Sequence, residues 1–194
     1  MKKPFLSAVT ILLMLFWLNP IFSRASESKP SLYDLKTNWR NTKNEKVSID
    51  IARGSLTLIA MVYTSCAHAC PMTISKVQEI QKDLLAAGFK NIKVVLASFD
   101  AKNDRPERLK KYQEARKLAQ DQWIFLSPES ESDARQLAVT LGISYKDLGN
   151  GDFSHSNIIA LLDKNGIQLA SIDNLNSSAD VFVSAMKSKE ENSK

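Results

Sequence analysis

The two cysteines of the chain, Cys66 and Cys70, are the residues best suited to chemistry. They lie four positions apart, between an apolar run that ends at Tyr63 and a helix-like segment that begins near Pro71. Proline favours the first turn of a helix, and a helix N-terminus stabilises a thiolate through its unpaired N–H groups and its dipole. We therefore expect activated thiols that form a reversible disulfide or offer two soft ligands to a metal such as Cu(I). A purely structural disulfide is the alternative for this spacing.

His155 is a candidate third ligand. It follows a glycine-containing loop at 149–153 and precedes an apolar strand predicted at 158–162. If that strand lies beside the strand predicted at 56–63 and runs antiparallel to it, His155 arrives at the same edge of the sheet as the cysteines. Two thiolates and one imidazole then form a site that copper accepts as both Cu(I) and Cu(II). A solvated loop side chain is the alternative interpretation of this histidine.

Three further residues are possible auxiliary groups of the same site. His68 lies between the cysteines, where it is either an exposed loop residue or an occasional fourth ligand. Asp100 and Asp104 follow the strand predicted at 92–99. They either support the site or a docking surface, or they cap the helix that follows.

Residues 1–25 are typical of an export segment. Two lysines precede an uncharged, apolar stretch at 4–23, and small residues flank a predicted cleavage site after Ala25. A retained membrane anchor over residues 4–23 is the alternative, and it would be the only contact with the membrane. Either interpretation places the protein outside the cytoplasm, with the periplasm as the expected compartment. Residues 26–33, which are polar, are predicted to be a tether.

The charge of the chain does not indicate a nucleic-acid partner. The formal net charge is +5, and removal of residues 1–25 leaves 23 basic against 21 acidic residues. A nearly neutral domain lacks the basic footprint that binding to nucleic acid requires. Residues 34–190 are long enough for one domain with a sizeable core, so that neither cysteine is needed as a stabilising staple.

Strand-like and helix-like segments alternate along this domain, which predicts an α/β fold with parallel strands and helices on both faces. The predicted strands are 56–63, 92–99, 123–126, 156–162 and 167–171, and the predicted helices are 74–85, 106–119, 130–141 and 177–188. A turn at 41–45 separates two short segments, 35–40 and 47–51, as in a β-hairpin. The order of these elements is that of a thioredoxin-like fold with an N-terminal β-hairpin extension.

The sequence resembles the Sco/SenC family of copper-binding proteins over most of residues 34–190. The resemblance is carried by the hairpin of Trp39, the Cys-x-x-x-Cys-Pro motif after Tyr63, the strand end at 98–100 and the histidine motif at 153–156. The chain also departs from the family pattern. Its loop after Asp100 lacks a proline and a threonine that the family usually has, and Ser154 stands where an aspartate often precedes the histidine.

The resemblance implies a thioredoxin-like fold and one copper ion, Cu(I) or Cu(II), bound by Cys66, Cys70 and His155. It implies a metallochaperone rather than an enzyme, one that assists maturation of the CuA centre of cytochrome c oxidase or of a related copper enzyme. The expected partners are the copper-receiving subunit of a respiratory oxidase, or a similar cuproprotein, and a thiol reductase. Copper delivery, reduction of the partner's cysteines and sensing remain open as roles.

An enzyme is the competing prediction. Cys66 and Cys70 would then be the redox-active pair of a thiol–disulfide reductase or a thiol peroxidase. Thioredoxin-type oxidoreductases use Cys-x-x-Cys and have a proline just before the strand that His155 precedes here. This chain has no proline after Pro128, which favours copper binding over general dithiol exchange.

Overall fold

The structure is a computed structural model that describes residues 30–66 and 69–191. Within those residues the chain forms nine strands, four α-helices and two short 3-10 helices, Leu32–Asp34 and Ile49–Ala52. The strands are β1 (Trp39–Arg40), β2 (Lys46–Val47), β3 (Leu56–Val62), β4 (Ile92–Ser98), β5 (Trp123–Pro128), β6 (Tyr145–Asp147), β7 (Phe153–His155), β8 (Ile159–Leu162) and β9 (Gln168–Ile172). The helices are α1 (Ala69–Ala86), α2 (Pro106–Ala115), α3 (Glu131–Leu141) and α4 (Asp180–Glu191).

Seven of the strands form one sheet in the order β2-β1-β5-β4-β3-β8-β9. Strands β3, β4 and β5 are parallel, and helices α1 and α2 connect them in turn. Strands β8 and β9 are antiparallel to their neighbours. The predicted alternation of strands and helices, with a hairpin before the last helix, is therefore confirmed.

The core lies on both faces of the central strands. All seven residues of β3 are buried, because this strand has hydrogen-bonded neighbours on both sides and helices cover the sheet. Helix α1 packs on β3 and β4 and also contacts α4, whereas α3 packs on β5. Trp39, Phe125 and Phe182 are the largest fully buried side chains in the described part of the chain. Burial on both faces explains why the central strands are continuous apolar runs.

One edge of this sheet collects the ends of three strands. Because β3 and β4 are parallel, their last residues, Val62 and Ser98, lie side by side. Strand β8 runs the other way, and its first residue, Ile159, pairs with Ala60 near the end of β3. The loop after β3 and the segment before β8 therefore meet at the same edge, as the sequence predicted for Cys66 and His155.

The predicted N-terminal hairpin is confirmed, although its second arm is shorter than expected. Strands β1 and β2 pair with Trp39 opposite Val47, and β1 also joins β5. The prediction of strand through 51 is wrong, because residues 49–52 form a 3-10 helix. The side chain of Ser48 bonds to the carboxylate of Asp50, a local bond that favours a turn over a strand.

Two details of the predicted helices are also wrong. The helix predicted at 106–119 ends at Ala115, because Lys117 has a left-handed backbone with φ of 53° and the chain turns there. Leu118, beyond this turn, is buried against the core. The helix predicted at 74–85 begins earlier, at Ala69, and ends at Ala86.

A second, two-stranded sheet carries His155. Strand β6 pairs antiparallel with β7, which places Tyr145 opposite His155 and Asp147 opposite Phe153. Both strands lie where the sequence predicts a loop, so that the loop prediction is wrong for residues 145–147 and 153–155. Each strand has only three residues and none of them is fully buried. The sequence there lacks the alternation of apolar and polar residues that predicts a strand.

The N-terminal part of the domain begins earlier than the predicted boundary of the tether. Leu32 and Tyr33, which lie within the predicted tether, are both 5% exposed, and the Leu32 N–H donates to the Gly166 carbonyl at 2.9 Å. The predicted export segment, residues 1–25, lies outside the described residues. Among the residues that the structure describes, no helix combines the length and apolar character that crossing a membrane requires.

Candidate metal centre

The two cysteines lie at the connection between β3 and α1. Cys66 ends a turn in which its N–H donates to the Tyr63 carbonyl at 3.3 Å, and Cys70 is the second residue of α1. Both are present as thiols and both are buried, Cys66 with 8% and Cys70 with 0% of its surface exposed. The strand end and the helix start thus hold both sulfur atoms inside the protein, at the edge where the sheet ends.

Backbone N–H groups point at both sulfur atoms. The Cys70 N–H donates to Cys66 Sγ at 3.2 Å, and the Tyr63 N–H donates to Cys70 Sγ at 3.4 Å. Such donors stabilise negative charge on sulfur, so that they favour the thiolate forms that a metal ion requires. They also fix the orientation of both side chains toward the same space.

The prediction that the helix N-terminus activates Cys70 is wrong for this thiol. Burial raises the pKa of the Cys70 thiol well above its usual value, and the neighbouring Cys66 raises it further. The hydrogen bond from the Tyr63 N–H acts in the opposite direction but does not outweigh burial. Cys70 therefore keeps its proton at neutral pH, and a bound metal ion would have to displace it.

The imidazole of His155 is oriented by its own strand and by aromatic rings. Nδ1 lies 3.1 Å from the Ser156 carbonyl, which can only accept, so that Nδ1 is the donor of this bond and Nε2 is the nitrogen left for a metal ion. The ring packs against Phe99 at 5.0 Å and against Tyr63 at 5.9 Å between centroids. This is the usual arrangement of a metal-binding histidine, with the second nitrogen held by a protein acceptor.

The fold brings the three predicted ligands together. One ligand atom from each of Cys66, Cys70 and His155 lies within 4.8 Å of the other two. Two sulfurs and one nitrogen from three segments of the chain form a donor set that suits a thiophilic metal. The residues present therefore fit copper.

Asp104, predicted as a possible auxiliary residue, holds the loop between β3 and Cys66 through hydrogen bonds. Its carboxylate is fully buried and accepts from the Thr64 N–H at 2.9 Å, from the Ser98 hydroxyl at 2.6 Å and from the Thr64 hydroxyl. Arg108 Nε lies 3.9 Å from the same carboxylate. Asp104 thus joins the loop before Cys66 to the end of β4, and it is not among the three ligand atoms that converge.

Asp100 and His68 are the other two residues predicted as auxiliary groups of the site. Asp100 accepts from the side-chain amide of Asn103 at 2.9 Å and from two backbone N–H groups, so that it shapes its own loop. Among the described residues, no carboxylate takes the place of the aspartate that the family often has before the histidine, because Nδ1 of His155 pairs with the Ser156 carbonyl. His68 lies outside the described residues.

Comparison with known proteins decides the family. The SCO1/SenC family model matches residues 29–189, which is most of the chain. The chain belongs to the SCO1/SenC family. The resemblance found in the sequence motifs is thereby confirmed.

Several relatives of this SCO1/SenC protein are known. A SCO1 protein homolog from Bacillus subtilis is 27% identical over 153 residues, which are 77% of this chain and 79% of the homolog. BsSco is described as a member of the Sco family of cytochrome c oxidase assembly proteins, with a disulfide switch. Its structure matches with a TM-score of 0.67 and 24% identity, over 84% of this chain and 95% of the BsSco chain. Arabidopsis thaliana ScoI, solved with copper bound, has a TM-score of 0.68 and 16% identity, covering 84% of this chain and 99% of its own. These structures confirm the predicted thioredoxin-like fold.

An aromatic wall, formed by Tyr63, Phe99, Tyr145 and Phe153, borders the site in this SCO1/SenC protein and is not predicted from the sequence. Phe99 lies within about 5 Å of the Tyr63, Tyr145 and Phe153 rings, at 5.2, 5.1 and 5.0 Å between centroids. The hydroxyl of Tyr63 also accepts the Phe153 N–H at 3.4 Å, which attaches β7 to the end of β3. The available signal was an aromatic residue immediately after each of the two central strands, at 63 and 99.

Proposed function

We propose that this SCO1/SenC protein is a copper metallochaperone that binds one copper ion through Cys66, Cys70 and His155. The observation that carries the proposal is the convergence of the three ligand atoms within 4.8 Å. The copper-bound structure of a relative with the same fold supports the choice of metal.

The donor set suits an ion that is carried rather than used in turnover. Two thiolates hold Cu(I) at low coordination number, and the imidazole stabilises the harder Cu(II). Cys66 and Cys70 are buried, whereas His155 is half-buried, so that the histidine side is the more accessible approach to the sulfurs. On this proposal, copper enters and leaves along the His155 side, where a partner can exchange ligands with it.

The proposed destination is the CuA centre of cytochrome c oxidase or a related copper enzyme. Membership of the SCO1/SenC family supports this assignment, and a related structure is described as an oxidase assembly protein. The proposed compartment is the periplasm, because residues 1–25 have the pattern of an export segment or membrane anchor. The partner would be the copper-receiving subunit.

The same two sulfurs are proposed to form a reversible disulfide that excludes copper. Oxidation would remove two electrons and two protons from the thiols of Cys66 and Cys70 and pass them to an oxidant such as a partner's disulfide. The sulfurs lie within 4.8 Å of each other, and a bond of about 2.05 Å requires only a local approach. A thiol reductase is then needed before copper can bind again.

General dithiol exchange with Cys70 as the attacking nucleophile is less well supported. A nucleophilic thiol must be accessible and ionised, whereas Cys70 is fully buried and burial raises its pKa. The structure therefore favours a metal ligand over an attacking nucleophile at this position.

The test is addition of one equivalent of Cu(I) or Cu(II) to the reduced full-length protein, with retention measured against a competing chelator. Cys66→Ser and Cys70→Ser should each abolish tight Cu(I) binding, because a lone thiolate does not provide the two-sulfur site. His155→Ala should retain much of the Cu(I) affinity but lose the stable Cu(II) form. His68→Ala is the matched control and should do far less. Full Cu(I) retention by both cysteine variants would refute the shared site.

A further inference from the structure

A groove runs beside the metal centre, between helix α3 and strand β6. It has a volume of about 490 Å³. One wall is a single face of α3, because the residues that line it recur at helical spacing: Glu131, Arg135, Ala138 and Val139. The other wall is formed by residues 144–147, which are consecutive and include all of β6. Each face of a strand presents only alternate residues, so that a consecutive set indicates a groove along the edge of β6.

The edge of β6 that lines this groove has no strand beside it. Strand β6 pairs with β7 alone, in a sheet of two strands. On the β7 side, the Leu148 N–H donates to the Asp152 carbonyl at 3.0 Å. Successive residues of an antiparallel strand direct their N–H and C=O groups to opposite sides, so that those of Tyr145 and Asp147 point away from β7 and toward the groove. None of these four groups bonds to another backbone group in the described part of the chain.

The apolar floor of the groove is shared with the metal centre. Phe99, Tyr145 and Phe153 all line the groove. The Phe99 ring lies 5.0 Å from the His155 ring and stacks on the Tyr145 ring at 5.1 Å, both between centroids. Tyr145 is also the residue opposite His155 in the pairing of β6 with β7. A chain bound in the groove therefore contacts the rings that pack against the candidate metal ligand.

The rim of the groove has an excess of positive charge. Lys102 Nζ lies 3.8 Å from Glu131 on α3 and 3.9 Å from Asp147 on β6, so that one lysine faces both acidic side chains. Arg135 and Lys146 are exposed and form no ion pair with the residues that the structure describes. These two cations are left to complement an acidic ligand.

We propose that this groove is the docking site for an extended acidic segment of the copper-receiving partner, which adds to β6 as a third strand. The identity of the partner rests on the proposed function. Extended peptides bind other proteins by adding a strand to an open sheet edge, where main-chain bonds give affinity and side-chain contacts give specificity. The outward backbone groups of Tyr145 and Asp147 supply those bonds. The aromatic floor accepts apolar side chains, and Arg135 and Lys146 select acidic ones.

A second copy of the chain fits this edge less well. In a two-fold antiparallel pairing centred on β6, the middle residue of the strand lies opposite its own counterpart. That residue is Lys146, and like charges directly opposite each other destabilise a strand pair. The edge therefore favours a partner of different sequence.

The test uses the reduced full-length protein and a labelled synthetic peptide of about eight residues, within the usual length of a strand, that alternates valine with glutamate. Binding is measured by fluorescence anisotropy. The peptide should slow amide hydrogen exchange at Tyr145 and Asp147, because their N–H groups become bonded. A peptide with lysine in place of glutamate should bind at least about ten-fold more weakly, because it meets the basic rim with like charge.

Asp147→Pro is the variant that tests strand addition. Proline removes the outward N–H of this residue and leaves the bonds between β6 and β7 in place, so that affinity for the glutamate peptide should fall about ten-fold. Asp147→Ala is the matched control, because it removes the same carboxylate and keeps the N–H. It should bind the peptide at least as tightly as the wild-type protein. Arg135→Gln should weaken binding of the glutamate peptide and leave that of the lysine peptide unchanged or stronger.

The outcomes separate this inference from the proposed function, which is tested by copper retention. If the protein binds copper but does not prefer the glutamate peptide, or if Asp147→Pro and Asp147→Ala bind it equally, the docking groove is refuted and the function stands. Self-association of the wild-type protein that Asp147→Pro abolishes would also refute it, because the edge would then join two copies of the chain. If the peptide binds as expected but the protein does not bind copper, the acidic docking edge is supported and the identification of its partner fails with the proposed function.

Discussion

Replacement of Asp104 should destabilise the protein at the loop that precedes Cys66 without removing a metal ligand. The fully buried carboxylate accepts hydrogen bonds from the Thr64 N–H at 2.9 Å, the Ser98 hydroxyl at 2.6 Å and the Thr64 hydroxyl. Asp104→Ala leaves all three donors without their acceptor and should lower the free energy of unfolding by about 3 to 5 kcal/mol. Asp104→Asn keeps one acceptor oxygen and removes a buried charge, so that the loss should be about 1 to 2 kcal/mol.

The pH dependence provides a second, independent readout. Burial raises the pKa of Asp104, although hydrogen bonds from Ser98 and Thr64 act to lower it. The folded protein therefore holds this proton more tightly than the unfolded chain, and the contribution of the group to stability decreases as the pH rises through the raised pKa. The stability advantage of wild-type protein over Asp104→Asn should be largest at acidic pH and should shrink as the pH rises.

The assay is urea unfolding of the copper-free protein across a pH series, with Asp152→Asn as the control. Asp152 is exposed and lies in the loop before His155, so that its replacement removes an acid near the site without removing a buried contact. It should change stability by less than about 0.5 kcal/mol. An Asp104→Ala protein as stable as the wild type, or an advantage over Asp104→Asn that grows with pH, would refute the reasoning.

Two further predictions concern a tight turn and the aromatic wall. Gly166→Ala should lower the free energy of unfolding, measured in urea titrations, by at least about 2 kcal/mol. Gly166 has φ of +83°, and a Cβ there would lie 2.5 Å from the Tyr33 ring. An unchanged unfolding midpoint would contradict this prediction. Phe153→Ala should alter the Cu(II) spectrum, because the Phe153 ring belongs to the aromatic wall that contacts His155. It should leave the Cu(I) affinity unchanged, because no sulfur ligand is changed. Loss of Cu(I) binding alone would contradict this prediction.

The parts of the fold that the sequence predicted well are those with a local signal. The run from Leu56 to Val62 is apolar because β3 is buried on both faces, and Gly142 follows the helix at 131–141 in a left-handed conformation with φ of 73°. Both signals are contained in a few neighbouring residues. The short 3-10 helix at 49–52 and the strand β6 depend on turns and pairings that leave no periodic pattern.

The residues of the candidate site could be predicted from the sequence, but the raised pKa of its Cys70 thiol could not. Cys66 and Cys70 follow a buried strand, and His155 precedes another, so that the antiparallel pairing of β3 with β8 brings them to one edge. The high pKa of Cys70 was not predictable, since it arises from burial among elements distant in the chain.

The site consists of a sulfur half and an imidazole half that share one support, Tyr63, whose N–H donates to Cys70 Sγ and whose ring packs against His155. The sulfurs are held by the junction of β3 and α1 and by the hydrogen bonds to Asp104, all within or beside the main sheet. The imidazole belongs to the separate sheet of β6 and β7, which ring contacts and the Tyr63 hydroxyl attach to the main one. Distant perturbations of independent supports add, whereas perturbations of one shared support do not. Asp104 bonds to Thr64 and Phe153 bonds to the adjacent Tyr63, so that the two residues act on one shared segment and the effects of combining Asp104→Asn with Phe153→Ala on Cu(II) affinity should deviate from additivity.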